Sequence, residues 1–246
     1  MYIARIPLDQ KGAIVQMQNQ WAVAKMENAN AEANEQEADG QVRQARNDYS
    51  AAKLAVDSAI TAKKSAEQSA DMNRMNNAQK DLKAAEDSAN AAKLRVVYFE
   101  AYRNYLKRYH RYTMENMYWR EAQYEQAKAQ LAKQNNIAPK GVVYDDFPKQ
   151  LTTRENRTNA ARQKAEGEKS KVVSARANWL TAQQNADKLT GRTGALYDPM
   201  QPKEQAPQAP QAMGGGAGQP QQPINSNPTP APAPAPADGG STAPQQ

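Results

Sequence analysis

The residues best equipped for chemistry gather in one stretch. Tyr98, Tyr102, Tyr105, Tyr109 and Tyr112 follow one another at spacings of 4, 3, 4 and 3, and Trp119 continues the stripe. On a helix this spacing keeps every ring on one face. Arg95, Arg103, Lys107, Arg108, Arg111 and Arg120 are interleaved with them. Rings beside cations can stack on bases or sugars while neutralising phosphates, which would make a binding face for nucleic acid, a glycan or an anionic headgroup. The face would comprise Tyr98, Tyr102, Tyr105, Arg108, Tyr109, Arg111, Tyr112 and Trp119. The competing reading is a seam against another helix, with the phenol hydroxyls reaching its wet edge. Helical spacing favours the seam.

Other candidates carry less. His110 is the one histidine, and there is no cysteine. No carboxylate pair stands at ligand spacing beside it, so neither a metal site nor a catalytic triad is expected. Asp145 and Asp146 suit helix capping better than cation binding. Gly214–Gly218 lacks the lysine of a phosphate loop. Asn156-Arg157-Thr158 matches a glycosylation sequon but falls within a predicted helix. The expectation is an absence of catalytic residues, cofactor, metal and small-molecule substrate.

The elements that must position this face are long helices. Residues 14–70 keep one heptad register. Its d positions are Met17, Ala24, Ala31, Ala38, Ala45, Ala52, Ala59 and Ala66; its a positions include Ile14, Trp21, Asn28, Glu35, Val42, Tyr49, Val56, Lys63 and Ala70. An apolar repeat every 3.5 residues keeps one seam of a helix facing a partner, and alanine lets that partner come close. Asn28, Glu35 and Lys63 are costly in a dry seam, so they mark either a wet interface or a fixed register. Proline is absent from Leu8 to Asn136, and only Gly12 and Gly40 interrupt the helix formers. Around Asp71–Asn77 the register changes, then resumes as Met75, Ala78, Leu82, Ala85, Ala89, Ala92, Val96 and Phe99. A stutter within one continuous helix is possible there. Chain reversal is preferred, because segments 9–70 and 74–135 are nearly equal in length, as a hairpin requires.

Gln134–Gly141 is a strong stop. A third helix is predicted over about 148–189, with Pro148 in its first turn, a cap from Asp145 or Asp146, and Thr190-Gly191 as its end. Its seam would be Ala161, Ala165, Val172, Ala175, Trp179, Ala182, Ala186 and Leu189. Beyond Gly191 the composition turns to Pro, Gln, Ala and Gly, with a Pro/Ala alternation over Pro228–Ala237. Such a segment buries too little apolar area to offset its ordering entropy and reads as a disordered tether. The expected fold is therefore all-α. Residues 1–190 would form a long antiparallel coiled-coil hairpin plus a third helix, and 191–246 a disordered tail. Trp21, Tyr49, Tyr105, Tyr109, Trp119 and Trp179 would be packing anchors.

Charge is uneven under a net +6. Residues 1–72 carry 8 Lys/Arg against 10 Asp/Glu, residues 93–133 carry 9 against 4, and residues 134–199 carry 11 against 7. The bias attracts anionic surfaces, although a solvated coiled-coil flank accounts for it too. No apolar run approaches the length that spans a bilayer. Met1–Leu8 is too short and too polar for a signal peptide. Three stretches, YIARIPLDQKGAI (2–14), YWREAQYEQAKAQLAKQNNIAPKG (118–141) and SARANWL (174–180), resemble periplasmic and outer-membrane coiled-coil lipoproteins of Gram-negative bacteria. The resemblance implies an elongated helical shape, no catalytic residues, and a periplasmic or outer-membrane-associated setting; a cytoplasmic one is the alternative. The expected function is a structural or adaptor scaffold, with protein partners or a second copy met through the helical seam. Binding to a membrane or nucleic acid through the basic aromatic face is the other reading.

Overall fold

The computed structural model describes residue 4 and residues 6–69, 71–137, 141–191 and 196–201. The chain divides into two units, Met1–Ala195 and Leu196–Gln246. Of the tail expected over 191–246, residues 192–195 and 202–246 lie outside the described residues, as does the a-position Ala70.

The first unit opens with a short 3-10 turn, Leu8–Lys11. Three helices follow: α1 (Gly12–Gln68), α2 (Met72–Gln134) and α3 (Asp146–Thr190). No strand occurs among the described residues. At 1.5 Å per residue, α1 and α2 are roughly 85 and 95 Å long. The chain reverses between Gln68 and Met72, so the hairpin reading holds. The backbones of α1 and α2 lie close together, as do those of α2 and α3; α1 and α3 have no comparable approach. The middle helix therefore needs two seams, which explains why its apolar residues are not confined to one stripe.

Local chemistry sets the ends. Asp71 has extended backbone and its Oδ1 accepts from the Asn73 N–H at 2.9 Å and the Arg74 N–H at 3.2 Å, a side-chain N-cap for α2. At the other end, Ile137 N–H reaches Ala132 O at 3.0 Å and Asn136 N–H reaches Lys133 O at 3.1 Å, with Asn136 left-handed at φ 53°. This is a Schellman ending with asparagine in the glycine position. Its apolar contact is present: Ile137 packs on the cluster of Ile6, Ile14, Leu131 and Ala132, joined by Tyr124, Ala127 and Tyr144. Ile6, ahead of the 3-10 turn, thus joins the cluster at the open end of the hairpin. Gly191, at φ 67°, ends α3 by donating to Asp187 O at 2.8 Å. Two expectations are corrected here. Asp145 occupies the cap position of α3 but its side chain makes no capping hydrogen bond. Leu189, expected in the α3 seam, is 49% exposed, so the buried part of that seam ends at Ala186.

The alanine seam is real. Ala24, Ala31, Ala38, Ala45 and Ala66 are 1–2% exposed, while Met17, Ala52 and Ala59 are half-buried. On α2, Phe99, Leu106 and Thr113 recur every seven residues and are buried too. Small residues on one helix and larger ones on the other allow both a close approach and a filled interface.

Gly40 lies inside α1 without breaking it, and a Cβ there would meet only the tip of Arg43 at 3.9 Å. Gly40→Ala is expected to stabilise the protein by about 0.5–1 kcal/mol, because it removes unfolded-state entropy without a clash. A thermal melt read by circular dichroism checks this; a lowered midpoint would show that Gly40 serves a close approach.

Candidate aromatic and polar interface

The polar a positions of α1 find partners on α2. Asn28 Oδ1 accepts from Thr113 Oγ1 at 3.2 Å. Glu35 Oε2 meets His110 Nδ1 at 2.7 Å. Lys63, by contrast, pairs along its own helix with Glu67 at 3.8 Å. Three further links flank this seam: Arg46 to Glu100 at 2.5 Å, Arg95 to Asp48 at 2.7 Å, and Arg103 to Asp39 at 3.7 Å. Arg120 adds a hydrogen bond to Gln20 Oε1 at 3.0 Å. All run between the antiparallel helices in one register. Of the two meanings open to Asn28 and Glu35, register fixing fits, since each has a specific partner across the interface. His110 is thereby placed: half-buried and engaged with Glu35.

The tyrosine stripe is a continuous run of ring contacts. Successive centroids from Tyr98 through Tyr102, Tyr105, Tyr109 and Tyr112 are 6.3, 6.4, 5.8 and 6.0 Å apart. Tyr98 also lies parallel to Trp179 of α3, with centroids 5.2 Å apart and planes 9° apart, and touches Phe99 at 5.1 Å. Tyr98 and Trp179 are fully buried, so this end of the stripe is a helix–helix seam. Tyr102, Tyr105, Tyr109, Tyr112 and Trp119 are half-buried; Arg108 and Arg111 are exposed. Only part of the face expected from sequence is therefore open. Trp119 carries the Arg120 guanidinium 4.5 Å from its ring, and Tyr118 carries that of Arg154 from α3 at 5.1 Å. Trp21 stacks on Tyr124 at 5.6 Å and carries Lys25 Nζ over its ring at 3.3 Å. Tyr49 is half-buried, with Lys53 5.9 Å from its ring.

Sequence reasoning missed one arrangement. Arg108 and Arg111 of α2 and Arg157 and Lys164 of α3 line one groove of about 350 Å³, together with Ala160 and Ala161. Glu115, also in its wall, is 5% exposed, and its Oε1 accepts from Arg111 at 2.6 Å. The signal was present as i, i+3, i+7 spacing of 108, 111 and 115 and of 157, 160 and 164, but it becomes a site only once the two helices are paired. Among the described residues, no group of three His, Asp or Glu side chains is arranged to hold a metal ion. No described helix is long and apolar enough to cross a membrane.

Two measurements follow. Trp179→Ala removes the ring that covers Tyr98 and is expected to cost about 3–5 kcal/mol in denaturant unfolding; a loss below 1 kcal/mol would mean that this stack does not hold α3. The second is alkaline. Burial, then the charge of Tyr109, raises the Tyr105 phenol above its ordinary value of 10.0. Burial, then Glu27 and Tyr112, raises that of Tyr109. The unfolded chain ionises first, so the stabilisation from these neutral phenols is complete below pH 10 and is lost as pH rises through the folded values. Ultraviolet phenolate titration is expected to show a late fraction that Tyr105→Phe and Tyr109→Phe remove; a single transition at pH 10 would contradict it.

No protein-family model matches the chain, and neither a curated protein nor a solved structure is similar to it.

Proposed function

We propose that this protein is a non-enzymatic structural or adaptor element, an elongated helical spacer of the bacterial cell envelope. One observation carries the reading most: a hairpin of two helices, each roughly 85–95 Å long at 1.5 Å per residue, held in one register by cross-links from Asn28–Thr113 to Asp48–Arg95. Such a hairpin transmits position along its length. With the alanine seam filled by α2, a protein partner or second copy is met on the outer faces of the helices. The envelope setting, periplasmic or outer-membrane-associated, is supported by the resemblance of residues 2–14, 118–141 and 174–180 to coiled-coil lipoproteins. The Pro/Ala-rich segment beyond residue 201 suits a tether in that setting.

Cell fractionation combined with crosslinking and pull-down of the full chain tests this. Recovery with the envelope fraction, crosslinked to protein partners, is expected. Recovery in the cytosol without partners would overturn it. A second reading, attachment to an anionic surface, is favoured by the meeting of Arg108, Arg111, Arg157 and Lys164 in one groove.

A further inference from the structure

We infer that the α2–α3 groove is a binding site for a phosphate monoester, held by Arg108, Arg111, Arg157 and Lys164. Two helices contribute two cations each to one concavity of about 350 Å³, within the size range of small-ligand sites. Glu115 in the same lining offsets one of the four cations, and the remaining like charges, gathered from separate elements, favour an anion between them. Arg108, Arg157 and Lys164 make no ion pair, side-chain hydrogen bond or ring contact among the described residues, whereas several neighbouring cations on these helices do. Arg95, Arg103, Arg120, Lys128, Arg154, Arg162 and Lys171 all have partners.

Arg111 is positioned differently. Glu115 Oε1 accepts from its Nη2 at 2.6 Å, and Glu115 is buried, so the guanidinium is anchored at the groove wall with its other N–H groups free to donate. A phosphate monoester suits this set. It carries −1.5 to −2 charge near pH 7 and three acceptor oxygens, and planar guanidinium forks bind such oxygens in pairs. A diester offers half the charge and fewer oxygens. The small side chains of Ala160 and Ala161 in the lining leave room for the anion beside the cations. A neighbouring groove on α3, lined by Lys149, Thr153 and Arg154, shares Arg157 and extends the cationic track.

The monoester can be free or the headgroup of a lipid, and one set of experiments separates the two. The full chain is titrated calorimetrically with inorganic phosphate and glycerol 1-phosphate, with sulfate as the control. It is also co-sedimented with phosphatidylcholine vesicles carrying phosphatidic acid, or phosphatidylglycerol at equal surface charge. The variant Arg108→Ala/Arg157→Ala/Lys164→Ala is compared with Lys64→Ala/Lys80→Ala/Lys93→Ala, which removes three exposed cations elsewhere. Circular dichroism confirms that both keep their helix. The expected result is saturable binding of a monoester in at least one format, preferred over sulfate or phosphatidylglycerol, weakened at least tenfold in the groove variant and less than twofold in the control. Binding of the soluble ester identifies a free ligand; binding only of phosphatidic acid vesicles identifies the lipid source. Equal losses in the two variants, no preference for the monoester, or no saturable binding in either format would each overturn the site.

Discussion

The close approach of α1 to α2 along an alanine seam is the constraint on which the other features depend. Five alanines of α1 are almost fully buried against a helix whose own contributions include Phe99, Leu106 and Thr113. With so little side chain between them, the two backbones leave no space for a dry, bulky core. Stability must then come from many shallow contacts spread along the length, each worth little by itself. This arrangement also puts polar groups within reach across the interface. Asn28, Glu35 and Asp48 can meet Thr113, His110 and Arg95 because alanine neighbours hold the helices together.

The third helix solves a different problem with different residues. Its packing on α2 is dominated by one large stack, Trp179 on Tyr98, with Val172, Ala182 and Ala186 also buried. Ala182 and Ala186 cluster with Ala91 and Leu94, and Arg154 reaches Tyr118 further along α2. Where alanines of α1 line its seam with α2, Tyr98 of α2 and Trp179 of α3 fill theirs, beside the small cluster of Ala91, Ala182 and Ala186. The same rings run toward the basic groove, so the seam and the cationic track are parts of one surface of α2.

Much of this was legible in the residues. The heptad register named the buried alanines, and helix equality named the hairpin, because both follow from local periodicity. The Asp71 cap was less visible: the sequence marks that stretch by a change of register, which does not say that Asp71 accepts the first N–H groups of α2. Leu189 was assigned to the seam by spacing alone, which cannot show where burial along a helix stops. The tyrosine stripe was ambiguous for the same reason: spacing puts Tyr98 and Tyr112 on one face, but only the position of Trp179 decides that Tyr98 is covered. The groove between Arg108 and Lys164 was legible only as spacing within each helix, since joining the two halves depends on how α3 lies on α2.

The central claim is that α1 and α2 lie too close for a larger side chain on the seam. Leucine at a d position ordinarily strengthens a coiled coil. At Ala38, which is 1% exposed, the close approach demands the opposite. Denaturant unfolding of Ala38→Leu, followed by circular dichroism, should show a loss of about 1–3 kcal/mol from overpacking. A gain in stability would contradict the account, because it would mean that the helices have room to spare.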